Sequence, residues 1–424
     1  MIVLVVVHQF LPKHAAGSEY YTYYLAKELQ ELGHGVHLYF TEVDPEREHA
    51  ELRTREYDGL PCFEAVNNHR FPTFRDTYKD EAMEANLVRV LDLVQPDVVH
   101  IQHLHLHSIG YIEILKRRGL KVVFTLHEFI TMCHRNGQLL RENLVLCEGP
   151  EPEECARCAR MWPMPARGFN FGRSENELRA HAVEQRRREV QAGLDQVDLF
   201  LSPSRFLRNK YIEYGLVRPE RILYSDNGMA RSQFRTVPRT PSDAIRFGYF
   251  GTIAEWKGIH LIVEAFNGLP EAGLECKLYG DLTFLPEYSR SLRKERRNLA
   301  LRFLGRFPNK EIAEVLAGID VLIVPSVWFE NSPLTIHEAF IAGVPVVCSD
   351  RGGMAELVQD GKNGLHFRLG DARDLRAKLQ RFLDEPDLLE RLRGSFPPIK
   401  DIGTDARDMV RRYNALIAGE AVVV

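Results

Sequence analysis

The sequence predicts an α/β protein built on doubly wound, parallel sheets. Short apolar, β-branched runs alternate with helical stretches along most of the 424 residues. The alternation comes as two successive series of comparable size. Between them lies ARSQFRTVPRTPSD, residues 230–243, with two prolines, several Ser/Thr and few core-forming residues, which reads as a linker. At about 150 residues per domain the length allows two or three domains with full cores.

The first series opens with IVLVVV, too continuously apolar for a half-exposed strand, and therefore a buried one at 2–7. Further strands are predicted at 36–40, 98–102, 121–125, 198–202 and 221–225. Helical stretches fit between them at 17–32, 80–95, 108–118, 175–194 and 204–214. The second series places strands at 245–250, 276–279, 301–304, 321–324, 344–348 and 364–367, and helices at 257–269, 309–317, 333–342, 353–359 and 372–384. The domains expected are therefore residues 1–229, a linker at 230–243, residues 244–400, and a closing amphipathic segment, 401–424, that packs back on the first. Two Rossmann-like domains with parallel sheets facing across a cleft follow. In such sheets ligands bind beyond the carboxyl ends of the strands.

Composition excludes several classes. With 45% hydrophobic and 27% charged residues the chain is neither disordered nor fibrous. Its 55 basic against 59 acidic side chains argue against a nucleic-acid partner. No apolar run approaches the eighteen or so residues of a membrane span. The start, MIVLVVVHQF, lacks a basic region and a cleavage site, so the expected location is cytoplasmic, with peripheral contact at the inner face of a membrane as an addition.

The richest stretch is WFENSPLTIHEAFIAGVPVVCSDRGGMAELVQDGKNGLHF, residues 328–367. Ser332 as a cap and Pro333 in the first turn predict a helix that begins there. Glu330 then precedes the helix mouth and Glu338 lies about a turn and a half inside it. Free N–H groups at a helix mouth suit a phosphate, and carboxylates suit vicinal sugar hydroxyls. An ordinary helix with acids favouring its dipole is the plainer account of the pair alone.

This stretch, with YFGTIAEWKG (249–258), LGRF (304–307) and IDVLIVPS (319–326), resembles the retaining GT-B glycosyltransferases that carry an E-x7-E motif, the glycosyl transferases group 1 and glycosyltransferase family 4. The resemblance implies a retaining transferase that moves a hexose-type sugar from a UDP- or GDP-sugar to a hydroxyl acceptor, in polysaccharide or glycoconjugate synthesis. It implies sugar binding by Glu330, ribose binding by Glu338, diphosphate binding by Lys257, and donor contacts from Gly17, Gly251, Thr252, Ser332, Pro333 and Leu334. Arg306 and Phe307 lie in the turn that meets the base, or form a plain structural turn. His127, at the end of TLHEF (125–129), is expected beside the reacting sugar, with Glu128 either orienting it or solvated. Glu19 reads as a helix-dipole acid. Domain closure about the linker follows, and catalysis needs no cofactor, because cationic side chains and helix dipoles replace a divalent ion.

Two departures stand out. Thr252 occupies the place where an arginine is usual, leaving Arg205 or Arg351 to compensate, and Pro333 removes one N–H from the phosphate-facing turn. Two alternatives remain: a sugar-nucleotide epimerase of the same fold, which the E-x7-E helix tells against, and a catalytically weak sugar-nucleotide-binding or zinc-dependent interaction module, which Thr252 favours.

HIQHLHLHS (100–108) places His103, His105 and His107 on one face if extended, either a metal triad or part of an acceptor site. The segment 133–173 breaks the strand–helix alternation and reads as an acceptor-selecting insertion. It carries Cys133, Cys147, Cys155 and Cys158, with CARC as a C-x2-C pair, for which a structural zinc is the candidate; free thiols and a redox disulfide are the alternatives, and His134 can replace Cys133. Cys62, Cys276 and Cys348 read as core. WPMP (162–165) and Arg186, Arg187 and Arg188 offer contacts to a lipid-linked acceptor or membrane surface, or, for the arginines, a solvated helix face.

Overall fold

The computed structural model describes residues 1–68, 71–162, 174–235 and 237–422. The chain divides into two compact units, Met1–Gly228 with Ile402–Val424, and Met229–Asp401.

The first unit contains β1 (Ile2–Val6), α1 (Gly17–Glu31), β2 (Gly35–Glu42), β3 (Leu52–Tyr57), β4 (Leu60–Val66), α2 (Glu81–Val94), β5 (Val98–Ile101), α3 (Gly110–Arg117), β6 (Lys121–Thr125), α4 (Pro152–Cys158), α5 (Glu175–Leu194), β7 (Leu199–Ser202), α6 (Arg205–Glu213) and β8 (Ile222–Tyr224). Its sheet runs β3-β4-β2-β1-β5-β6-β7-β8, parallel except for β3. Val3–Val6 are fully buried at the centre, as their unbroken apolar run requires. The helices begin where the chain supplies caps. Asp80 accepts from the amides of Ala82 and Met83, and Ser174 forms a reciprocal capping box with Glu177.

The hairpin β3–β4 was absent from the expected elements. β3, LRTREY, is an edge strand rich in charge. Its arginines have a purpose in the fold: Arg53 and Arg55, with Arg47, surround the fully buried carboxylate of Glu64 at 2.6, 3.1 and 3.0 Å.

The second unit contains β9 (Ile245–Phe250), α7 (Ile259–Phe266), β10 (Leu274–Tyr279), α8 (Pro286–Glu295), β11 (Leu301–Gly305), α9 (Ile312–Ala317), β12 (Val321–Val324), α10 (Leu334–Ile341), β13 (Val346–Ser349), α11 (Gly352–Leu357), β14 (Gly364–Phe367), α12 (Ala372–Asp384) and α13 (Leu388–Arg393). All its strands are parallel, ordered β11-β10-β9-β12-β13-β14. The stretch read as a linker is held on this unit: Arg231 donates to the Ile399 carbonyl at 2.7 Å and Arg239 to that of Ile319 at 2.6 Å. The last helix, α14 (Ile402–Ala418), returns to the first unit. There the buried Asp405 accepts from Tyr21 Oη at 2.9 Å and from the Gly228 amide at 3.0 Å.

Both sheets reverse their winding at one place, between β1 and β5 in the first unit and between β9 and β12 in the second. Loops leaving neighbouring strands diverge there and open a crevice, so each unit has one point at which a ligand site is expected.

Candidate functional site

In the second unit the segments that follow β9 and β12 carry Gly251, Lys257 and Glu330. The Val327 amide donates to the Trp256 carbonyl at 2.9 Å and joins them. Glu330 is buried and collects three donors on Oε1: Lys257 Nζ at 2.7 Å, Ser326 Oγ at 2.7 Å and Trp328 Nε1 at 2.8 Å. Burial works to raise this carboxyl's pKa, but the Lys257 charge and the three hydrogen bonds outweigh it and hold it below its usual value. Oε2 receives none of these bonds and keeps its lone pairs. The Lys257 ammonium also stands 5.1 Å from the centre of the Trp328 ring. The sequence motifs named Lys257 and Glu330 separately; the structure makes them one ion pair.

Close backbone approach supports this nest. The Gly353 amide donates to the Glu330 carbonyl at 2.6 Å, and a Cβ on Gly353 would stand 1.6 Å from the Asn331 carbonyl oxygen. Gly251, at φ 150°, donates to the Tyr279 carbonyl and keeps the turn after β9 without a side chain.

Helix α10 starts one residue later than expected. Pro333 is its N-cap, extended at φ −65° and ψ 114°, and no side chain caps it, so Ser332 lies outside the helix. The amides of Leu334 and Thr335 therefore open the first turn with no intrahelical acceptor. Pro333, at the N-cap, has no N–H to add to them. Glu338 lies on the second turn, half-buried, with no hydrogen-bond or ion-pair partner among the described residues, and burial pushes its carboxyl up to about 7.

Of the remaining residues, Phe307 packs edge-on against Phe250 and Tyr279 with ring centres 6.2 and 5.4 Å away. Arg306 is exposed, 3.6 Å from Asp281. Thr252 offers its carbonyl to the Tyr249 hydroxyl at 2.6 Å. Of the arginines expected to compensate for it, Arg205 belongs to the first unit, over the Tyr224 ring. Arg351 is the N-cap of α11, beside Gly352 and Gly353, where it pairs with Asp350 at 3.0 Å.

In the first unit the loops after β1, β5 and β6 bring together His8, His103 and His127. His8 lies 3.2 Å from Glu19, on the first turn of α1, and its ring centre is 4.1 Å from that of His103. Gly17 opens that turn, with Ala16 as N-cap. Burial opposes ionisation of Glu19, but His8 and the local hydrogen bonds prevail and lower its pKa. His127 donates from Nε2 to Gln102 Oε1 at 2.6 Å and meets Tyr21 edge-on. Burial, then the charge of His8, lowers its pKa to about 4, so the ring is neutral at ordinary pH.

Glu128 does not orient His127; it lies 3.4 Å from His103. Nor do three imidazoles share one face. The strand ends at Ile101, Leu106 adopts φ 64°, and His107 turns into the core to bond Tyr111 Oη and the Val7 carbonyl. Glu19 is a buried ion-pair partner rather than a plain dipole acid. His8, Gln102, Ser326 and Trp328 were missed: each is an isolated polar or aromatic residue just past a strand, recognisable only once the strand order is known.

Cys133, Cys147, Cys155 and Cys158 line a single small cavity of about 20 Å³. Cys155 and Cys158 stand one turn apart on α4. Burial raises the thiol pKa of Cys155, to about 12. Among the described residues no three His, Cys, Asp or Glu side chains are gathered as metal ligands, so a zinc ion would require the thiols to move in from the cavity wall. Cys62, Cys276 and Cys348 are buried. Arg186 is buried too, which corrects the solvated basic run; only Arg187 and Arg188 face outward, pairing with Glu184. Of WPMP, residues 163–165 lie outside the described residues. No helix of the described residues is long and apolar enough to cross a membrane.

Residues 15–231 match the family described as Glycosyltransferase Family 4, and residues 230–394 the family described as Glycosyl transferases group 1. The first match alone takes in half of the chain. The chain belongs to the family 4, group 1 glycosyltransferases. Relatives within this glycosyltransferase group include the sulfoquinovosyl transferase SQD2 of Arabidopsis thaliana, 26% identical over 51% of this chain and 42% of that protein. The putative colanic acid biosynthesis glycosyltransferase WcaL of Escherichia coli is 30% identical over 45% and 49%. The D-inositol 3-phosphate glycosyltransferase of Thermomonospora curvata is 27% identical over 73% and 70%. The match spans about half the length of the first two. In structure the glycosyltransferase resembles sucrose-phosphate synthase from Thermosynechococcus elongatus (TM-score 0.70, 17% identity, 99% and 100% of the two chains). It also resembles Anabaena HepE in complex with UDP and glucose (TM-score 0.63, 16% identity, 98% of each chain). The shared fold is GT-B, with two α/β units built on parallel sheets.

Proposed function

We propose that this chain is a retaining glycosyltransferase that moves a hexose-type sugar from a UDP- or GDP-sugar to a hydroxyl acceptor in polysaccharide or glycoconjugate synthesis. The observation that carries the reading is the Glu330 nest. A buried carboxylate kept ionised by Lys257, with Oε2 still open, is a preorganised acceptor for the hydroxyls of a bound sugar. In the same unit the first turn of α10 offers N–H groups to a diphosphate, and Glu338 offers a carboxyl for ribose hydroxyls. The HepE complex with UDP and glucose supports a nucleotide-sugar donor. SQD2, a sulfoquinovosyl transferase, and WcaL, a colanic acid biosynthesis glycosyltransferase, support a sugar donor and a glycoconjugate or polysaccharide product.

The chemistry assigned to these residues is a front-face displacement. The bond from the anomeric carbon to the diphosphate breaks, the acceptor oxygen bonds the same face of that carbon, and the acceptor proton passes to the departing phosphate oxygen. Lys257 and the α10 amides stabilise the charge that accumulates on the diphosphate. Arg351 is the cation proposed to supplement Lys257 where Thr252 stands. His127, neutral and held by Gln102, orients a sugar hydroxyl. Incubation with a panel of UDP- and GDP-sugars, with nucleotide release measured and the anomeric configuration of the product read by NMR, tests the reading. Release with retained configuration is expected. An inverted product removes the mechanism, and no binding of any donor removes the activity.

The shared cavity supports one more proposal: Cys133, Cys147, Cys155 and Cys158 hold a structural zinc that fixes the segment following His127. One equivalent of zinc per chain should survive purification. Substoichiometric zinc with four titratable thiols would leave them free.

A further inference from the structure

The outer face of α1 carries tyrosines where a surface helix ordinarily places Ala, Glu or Lys. Tyr20, Tyr23, Tyr24 and Lys27 fall at i, i+3, i+4 and i+7 and so share one face. The three rings are half-buried, as is that of Tyr57 at the end of β3. Together they form one row. Tyr20 and Tyr24 lie nearly parallel, 15° apart, with ring centres 6.2 Å from each other. Tyr24 meets Tyr23 edge-on at 4.9 Å, and Tyr23 meets Tyr57 edge-on at 5.8 Å. Tyr57 in turn rests on the buried Phe10 at 5.7 Å.

The row is fixed before anything binds. The turn between β3 and β4 is clipped to α1: Tyr23 Oη donates to Asp58 Oδ2 at 2.6 Å, Lys27 Nζ to the Asp58 carbonyl at 2.8 Å, and Gln30 Nε2 to the Gly59 carbonyl at 3.0 Å. Rigid rings with wet hydroxyl ends give contact area at little entropic cost, and the carboxylate and ammonium beside them can bond hydroxyls. The charge on this flank is balanced. Lys27 and Asp58 pair at 3.4 Å, which leaves little field for an anionic lipid or a nucleic acid. The area is also small: what four half-buried rings leave open is well short of the roughly 800 Å² that each partner of a stable dimer covers. An uncharged ligand of alternating apolar faces and hydroxyls, which is a glycan, fits both facts. Position points the same way. Tyr20 follows Glu19, the partner of His8, and Tyr21 on the inner side of the helix meets His127. The row therefore starts at the imidazole cluster of its own unit and runs from it along α1.

We propose that this row is a track for an uncharged oligosaccharide acceptor, whose sugar rings lie on Tyr20, Tyr24, Tyr23 and Tyr57, whose hydroxyls bond Asp58 and Lys27, and whose growing end reaches His8 and Glu19. The assignment to an acceptor rests on the transferase reading; the glycan track itself does not.

Saturation-transfer NMR and calorimetry of the full chain test it, with maltohexaose, laminarihexaose, isomaltohexaose and mannohexaose as probes, each beside its own disaccharide. At least one hexasaccharide should bind at least about tenfold more tightly than its disaccharide, because it reaches aromatic contacts that the shorter ligand does not. Tyr24→Gln, which keeps a good helix former, should weaken that hexasaccharide about tenfold, and Tyr24→Phe, which keeps the ring, should retain the binding. No saturable binding of any hexasaccharide, equal binding of the disaccharide, or the same result in both variants overturns the track. Flotation with phosphatidylglycerol vesicles, or self-association in sedimentation, that Tyr24→Gln abolishes also overturns it, since the face would then belong to a membrane or to a second copy. Mass spectrometry after incubation with UDP- and GDP-sugars reads the acceptor role: the bound hexasaccharide should gain a sugar, and binding without that gain overturns the acceptor assignment. Nucleotide release, measured in parallel, separates the two readings. Hexasaccharide binding without any release removes the transferase and leaves the track; release without hexasaccharide binding does the reverse.

Discussion

The ammonium of Lys257 and Oε1 of Glu330 stand 2.7 Å apart, although 72 residues separate them in the chain. The contact joins the segments after β9 and β12 at the winding reversal of the second sheet, and it predicts that neither residue can be removed alone without cost. Lys257→Met leaves a buried carboxylate without its cation and should destabilise the fold by about 3 kcal/mol. Glu330→Gln with Lys257→Met should recover part of that loss. Urea denaturation of the two single variants and the double variant measures the coupling.

Acid should act on the same residue. Because Glu330 titrates below its unfolded value, its stabilising contribution is complete above the unfolded carboxyl range and is lost as pH falls through its folded pKa. Glu330→Gln should therefore flatten the acid limb of a stability–pH curve. An unchanged limb would mean that other carboxylates govern it.

Glu338 has the opposite sign. With its carboxyl raised from 4.5 to about 7, it favours the folded state below pH 4.5, and that contribution is lost as pH rises to 7 and beyond. Glu338→Gln should remove this decline between about pH 4.5 and 7 in thermal melts, and it should weaken nucleotide binding measured on the same samples.

His127 depends on Gln102 for its orientation. Gln102→Leu leaves a buried N–H without its acceptor, worth about 1–3 kcal/mol. Its effect on turnover should appear in kcat more than in the donor KM, with the donor site in the second unit left intact. Equal changes in both would assign Gln102 to general packing.

Much of the fold was legible because core strands announce themselves. The runs at 2–7, 121–125 and 321–324 are apolar throughout and appear as β1, β6 and β12. β3 and α8 were not legible: LRTREY and PEYSRSLRKE carry charges that the structure uses at an edge strand and on an exposed helix surface. Arg186 shows a second limit, since a run of three arginines has the same spelling whichever one points inward. The imidazole triad failed for a backbone reason. Alternation holds only while the chain is extended, and it leaves the strand before His103. Glu330 and Lys257 were found by motif, but the bond between them is a property of strand order.

The return of α14 to the first unit makes that unit discontinuous: residues 229–401 are inserted between two parts of it. On the ribosome the second unit is complete before the first. Until α14 emerges, Tyr21 and His100 lack Asp405 and Tyr413, their partners at 2.9 and 2.5 Å. The nascent first unit must wait with an open seam through the synthesis of more than 170 residues, roughly 10–35 seconds at ribosomal rates. A chain stopped just short of α14 would expose that seam permanently and become a natural target for quality-control proteases.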